Sequence, residues 1–268
     1  MEPWPQIRYI GFMSEFLIAL GISVVLNSVF FGIAAALKTD VVTDLSYGLS
    51  FALAAIALAL VGAARDPVRL AAAAMVVVWA ARLAGYLFTR ILKTKVDHRF
   101  DGRREDPVEF AKFWALQALS VTVIMLPAIA VLARPAPAAS PLHVVGAAVW
   151  LAGLVIESVA DAQKSAWKRR GEPGFIDRGL WAWSRHPNYF GEILVWWGLW
   201  LFALPSLAGA WHLAVLGPIC ITSLLLFVTG IPPLEKSARK RYENDGRYAD
   251  YASRTSILVP LPPRRTAR

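Results

Sequence analysis

Apolar residues in this chain run in long blocks instead of alternating, and about 20 of them in a row are what a helix needs to cross a bilayer. Such blocks fall at roughly 10–37, 45–63, 70–92, 113–133, 142–163, 189–204 and 212–230. The pattern predicts an all-α integral membrane protein with about seven transmembrane helices in one bundle. The sixth block is short and bounded by Pro187 and Pro205. A tilted helix, or one that begins inside protein, is expected there, and six spans is the alternative count. No repeat at solenoid periods and no Gly/Ser-rich or Pro-rich linker divides the chain, so one membrane domain over residues 1–268 is expected.

Composition agrees: 57% of residues are hydrophobic and 11 are Trp, well above a soluble domain of this length. The start, Met1-Glu2-Pro3-Trp4, lacks a basic leader, and the first apolar block is too long for a signal-peptide core, so it is expected to stay as a span. A lone cysteine, Cys220, excludes an intrachain disulfide and a cysteine cluster.

Charge adds an orientation. The formal net charge is +9, but the cations gather in a few segments between apolar blocks. Lys93, Lys95, Arg99, Arg103, Arg104 and Lys112 follow the third block, and Lys164, Lys168, Arg169, Arg170, Arg178 and Arg185 follow the fifth. Lys236, Arg239, Lys240, Arg241, Arg247 and Arg254 occupy the tail. Cytoplasmic loops retain such residues, so the N-terminus is expected outside and the C-terminus in the cytoplasm, with Arg65 and Arg69 counting mildly against this. Topology and anionic lipid explain the basic balance, and no nucleic-acid partner is expected. A bacterial inner membrane is the expected location.

The candidate chemistry begins where charge enters apolar sequence, which in a membrane span points to function. Glu157, Asp161 and Lys164 are spaced by four and three, on one helical face. They either line a polar cavity or form an ion pair within the helix. A basic, glycine-bearing loop, Trp167 to Phe175, follows, then Asp177-Arg178-Gly179-Leu180-Trp181 and Ser184-Arg185-His186-Pro187-Asn188-Tyr189-Phe190-Gly191-Glu192. Arginine forks suit phosphate, and Gly171, Gly174 and Gly179 allow close backbone approach. Neither a GxGxxG fingerprint nor a P-loop is present.

These last two runs resemble the C-terminal signature of the membrane-bound steroid 5-alpha-reductase and sterol-reductase superfamily, and more closely its bacterial DUF1295-type members. Matching pieces include Asp44-Leu45-Ser46-Tyr47-Gly48, Trp79 with Arg82 and Arg90, Asp97 with Arg99-Phe100, and Tyr242, Tyr248, Tyr251 and Arg254 before Pro260. The resemblance implies a seven-helix enzyme that binds NADPH in the cytoplasmic half of the bundle. Hydride would pass to a carbon–carbon double bond conjugated to a carbonyl, in a steroid-like or other lipophilic substrate entering from the bilayer.

Carried over residue by residue, the cofactor positions are Asp161, Lys164, Arg178, Arg185, His186, Asn188, Tyr189, Glu192, Tyr242 and Arg254. Asp44 lies where the eukaryotic enzymes carry a longer Glu for the substrate ketone, and the place of their tyrosine is taken by Trp79 or Tyr86. The departure bears on steroid specificity more than on reductase chemistry. Hydride addition builds negative charge on the carbonyl oxygen, which calls for a donor in a dry site. A neutral Asp44, helped by Tyr47 or Tyr86, would supply it, with Trp79 and Arg82 against the substrate. Two plainer readings stand beside this one, Asp44 as a helix cap and Arg82 as its counter-charge.

The four histidines, His98, His143, His186 and His212, show no metal-ligand spacing, so no metal is expected, and His186 is placed beside a cofactor phosphate. Trp183, Trp196, Trp197 and Trp200 suit interface and packing roles, or the wall of a sterol-sized slot. The alternative activity is methyl transfer from S-adenosylmethionine, because the Arg-His-Pro-x-Tyr-x-Gly core is shared with isoprenylcysteine carboxyl methyltransferases.

Overall fold

In the computed structural model, which describes residues 5–61, 66–94, 106–134 and 139–263, the apolar blocks are helices and no strand forms among the described residues. Arg65, Lys95, Asp97, His98, Arg99, Phe100, Arg103 and Arg104 lie outside them. The order is α1 (Pro5–Leu37), α2 (Thr43–Val61), α3 (Pro67–Thr94), α4 (Pro107–Ile124), α5 (Leu126–Leu132), α6 (Pro141–Arg169), α7 (Pro187–Ala203), α8 (Leu216–Ser223), α9 (Ile231–Arg241) and α10 (Gly246–Arg254). Short tight turns of helix occupy Gly179–Ala182, Leu204–Ser206 and Gly209–Val215, and a wide π turn spans Leu224–Val228.

Among the described residues, five helical stretches are long and apolar enough to cross a membrane, or six if α4 and α5, bent by 49°, count as one span. Large side chains such as Val25, Leu60 and Val144 are more than 60% exposed on these helices. Water would not tolerate such a surface, and lipid does. The short sixth block, which forms α7, is not among these stretches. The 17 residues of α7 make a rod of about 25 Å, below the roughly 30 Å of a hydrocarbon core.

The chain forms two compact units, Met1–Val144 with Leu199–Gly217, and Val145–Gly198 with Pro218–Arg268. Each boundary falls inside a helix, α6, α7 or α8. No linker marks them, and none could be read from the sequence.

In the first unit the helix starts follow local chemistry. The Asp106 carboxylate accepts from the Val108 and Glu109 amides at the head of α4, with Pro107 in the first turn, where its missing N–H costs nothing. Pro127, one residue after the start of α5, lacks the amide that would continue α4, and the chain bends there. Gly217 packs against the break: a Cβ on it would lie 2.7 Å from the Ile124 carbonyl.

Two buried polar features of this unit were not visible in the sequence. Gln117 on α4 donates to Asn27 Oδ1 on α1 at 2.8 Å and to Ser46 Oγ on α2 at 2.9 Å. Asn27 in turn donates to the Ser23 carbonyl at 2.8 Å and to Ser50 Oγ at 3.2 Å. The satisfied network ties three helices where an unpaired amide would be costly. Arg69, only 6% exposed, donates through its guanidinium to the Leu132 carbonyl at the end of α5. It is therefore a buried cap on a helix C-terminus and carries no topological signal.

Candidate functional site

The second unit owes its geometry to glycines spaced seven apart on two helices, Gly146 and Gly153 on α6, Gly191 and Gly198 on α7. A Cβ on Gly153 would meet the Gly191 carbonyl at 2.6 Å, and one on Gly191 would meet the Glu157 amide nitrogen at 2.6 Å. The helices thus touch backbone to backbone, as small residues permit. This contact sets Glu157 alongside the turn that carries Glu192. Glu157, Asp161 and Glu192 are exposed by only 2%, 4% and 8%, and each is engaged with a neighbour.

Toward the end of α6 the packing turns aromatic. The Lys164 ammonium stands 4.4 Å from the centre of the Trp181 ring. Trp181 is held by its indole N–H, which donates to the Ala160 carbonyl at 3.0 Å. Gln163 Oε1 accepts from the Leu180 amide at 2.9 Å, and Gly179, at φ +62°, lies so near that a Cβ would meet the Gln163 amide at 2.5 Å. Only glycine suits that position.

The segment Ser184-Arg185-His186 is fixed by the C-terminal tail. The Arg185 amide donates to the Ser256 carbonyl at 2.8 Å, Ser184 Oγ donates to the Leu258 carbonyl at 2.6 Å, and the Leu261 amide donates to the Trp183 carbonyl at 3.2 Å. Beneath this brace lies Glu235, in the first turns of α9. Its Oε2 accepts from Arg185 Nη1 at 2.5 Å and its Oε1 meets His186 Nε2 at 2.8 Å. The Tyr189 ring stacks on His186, with centroids 5.7 Å apart and planes at 10°. Burial holds the His186 imidazole below its ordinary value, against the raising pull of the Glu235 carboxylate.

Glu235, which joins Arg185 and His186, is not among the site residues expected from the sequence. Its one signal is that it is the sole carboxylate in α9, beside Lys236, Arg239, Lys240 and Arg241. The chain enters α9 at Gly230, where a Cβ would lie 2.4 Å from the Leu225 carbonyl at the π turn.

Four rings close the far side. Phe175 packs at 5.6, 5.1 and 5.0 Å from Tyr242, Tyr248 and Tyr251. The Tyr242 hydroxyl donates to the Gly174 carbonyl at 2.7 Å, and that of Tyr251 to the Trp181 carbonyl at 2.8 Å. Burial pushes the hydroxyls of Tyr248 and Tyr251 up, so both remain donors at neutral pH.

The structure therefore brings Arg185, His186 and Tyr189 together and sets Lys164 close enough to act on the His186 charge. Other expected cofactor residues stand elsewhere. Arg178 pairs with Glu172, which also holds Arg170 at 2.9 Å, in an exposed loop, and Arg254 pairs with Asp250 at 3.2 Å on the exposed face of α10. Both are surface ion pairs. Asn188 is half-buried in the first turn of α7, and Tyr242 serves the aromatic cluster. Of the tryptophans, Trp196 is buried at 1% exposure and Trp183 is 48% exposed.

In the first unit, Asp44 lies in the first turn of α2 and pairs with Arg90 at 3.1 Å, its side chain 18% exposed. This partner lies about two turns along α3 from Arg82, the counter-charge expected from the sequence. The Arg82 guanidinium instead stands 5.7 Å from the centre of the Tyr86 ring. Tyr47 packs edge-on to Phe51 at 5.0 Å, and Phe51 edge-on to Trp79 at 5.1 Å. Trp79 is 0% exposed, packed in the core of this unit.

Among the described residues, no group of three or more His, Cys, Asp or Glu side chains is placed to hold a metal ion. Residues 30–255 match the model of a family described as a protein of unknown function, DUF1295. No curated protein and no solved structure matches the chain.

Proposed function

The chain belongs to the DUF1295 family, and from that premise we propose that it is a membrane reductase of the steroid 5-alpha-reductase and sterol-reductase type. It would use NADPH to reduce a carbon–carbon double bond conjugated to a carbonyl in a steroid-like or other lipophilic substrate. The observation that carries the reading is Arg185. It is braced by the tail, one of its N–H groups is spent on Glu235, and its buried Nε has no hydrogen-bond partner among the described residues. A buried donor left over on a fixed guanidinium suits an anionic ligand group.

The residues present fit a phosphorylated cofactor. Arg185 would bind phosphate, Lys164 would add positive charge, and Tyr189 and His186 offer a stacked face. When bound, NADPH would supply the hydride. In the first unit, Tyr47 and Tyr86 are the proposed donors toward the developing oxyanion, joined by Asp44 in its protonated form, with Arg90 holding Asp44 in place. Seven spans, an external N-terminus, a cofactor site facing the cytoplasm of a bacterial inner membrane, and substrate arriving from lipid belong to the same proposal.

One observation favours the alternative, methyl transfer from S-adenosylmethionine. Glu157, Asp161 and Glu192 are three buried carboxylates on α6 and α7, and such a group suits a cationic sulfonium. The test is thermal stabilisation of the detergent-purified protein by NADPH, NADH and S-adenosylmethionine, with Arg185→Ala as control. Stabilisation by NADPH that disappears in the variant is expected. Stabilisation by S-adenosylmethionine alone would transfer the protein to the methyltransferase reading.

A further inference from the structure

Glu235 accounts for both oxygens of its carboxylate inside the protein, one on Arg185 and one on His186, with 10% of its side chain exposed. Removing a carboxylate this far from water is costly unless both oxygens are used, and here both are. Pro232 and Pro233 precede it in the first turn of α9, which fixes the helix start from which the side chain reaches out.

The identity of the atoms then settles where a proton lies. A carboxylate has acceptors and no donor, so the nitrogen it meets at 2.8 Å, Nε2 of His186, must carry the hydrogen. In a neutral imidazole the other nitrogen, Nδ1, is then an acceptor, and it makes no hydrogen bond to the described residues. The stacked Tyr189 ring holds the imidazole plane. The buried setting favours the neutral ring, as the lowered His186 value also indicates.

We infer that Glu235 is the positioning residue of this site: it fixes His186 as the Nε2–H tautomer and turns Nδ1 into an acceptor for a hydroxyl or amino hydrogen of the bound ligand. The inference rests on the cofactor reading for the ligand's identity, though not for the tautomer. It also changes the expected role of His186. A neutral ring presenting a lone pair repels a phosphate oxygen, and it matches a sugar hydroxyl. Arg185 takes the anionic part and His186 the hydroxyl part, with Glu235 orienting both.

The test uses the full-length protein in detergent, with its histidines labelled with nitrogen-15 and the His186 resonances identified by their loss in His186→Gln. A protonated Nε2 and an unprotonated Nδ1 are expected in the wild type, and Nδ1 should shift on addition of NADPH. In Glu235→Gln, which keeps the side chain's shape, the amide can donate to Nε2. The proton should move to Nδ1, and NADPH should bind about tenfold more weakly. An unprotonated Nε2 in the wild type would overturn the inference. So would a Glu235→Gln protein with unchanged tautomer, or one that binds NADPH as tightly as the wild type. If the wild type shows the expected tautomer yet ignores NADPH, the cofactor reading fails and the positioning role stands.

Discussion

A methyl group on Gly198 would sit 2.4 Å from the amide nitrogen of Trp150, closer than any van der Waals contact allows. The obstacle is backbone on a facing helix, which cannot step aside as a flexible side chain can. Gly198→Ala should therefore force α6 and α7 apart and destabilise the protein by about 1–3 kcal/mol. Gly32→Ala, where nothing lies within 4 Å, serves as the control and should be neutral or slightly stabilising. Equal melting temperatures for the two variants would refute the glycine contact.

The Asp44–Arg90 pair predicts coupling between two residues 46 positions apart. With side chains 18% and 35% exposed, the pair is partly screened. A double-mutant cycle with Asp44→Asn and Arg90→Gln should return about 0.5–1 kcal/mol of interaction. A coupling indistinguishable from zero would mean that the two charges do not meet in the membrane.

His186 predicts a pH dependence. Its folded value lies below its unfolded one, chiefly through burial, with Lys164 and Arg185 lowering it further and Glu235 opposing. Below about pH 6.5 the unfolded chain therefore binds more protons than the folded one. The contribution to stability is complete above that pH and is lost as pH falls toward the folded value. Melting temperature should drop more steeply on acidification in the wild type than in His186→Gln. Parallel slopes would show that His186 is not the titrating group.

The Gln117 amide predicts a cost for removing polarity from an apolar bundle. Gln117→Leu strips Asn27 and Ser46 of their donor and should destabilise by about 1–2 kcal/mol. Ser158→Ala removes only a local bond to the Leu154 carbonyl four residues back, and should stay within about 0.5 kcal/mol. Unfolding in a denaturing detergent series compares them. A stable Gln117→Leu protein would show the network to be dispensable.

What the sequence determined by itself was mostly one-dimensional. The helical blocks, their lengths and the charged run into α7 were legible because hydrophobic length and composition need no knowledge of neighbours. The stretch from Ser184 to Glu192 also stood out, since charge beside apolar sequence is conspicuous wherever it folds. Tertiary structure alone decided the rest. Glu235 lies about 50 residues from Arg185, and only the packing of α9 makes them partners. The glycines of α6 and α7 acquire meaning only when two helices meet, and the boundaries of the two units lie within helices. Arg69, Arg178 and Arg254 carry the same charge in the sequence as Arg185. Burial and a partner's position separate a helix cap and two surface pairs from a candidate binding group, because the energy of a charge is set by its surroundings.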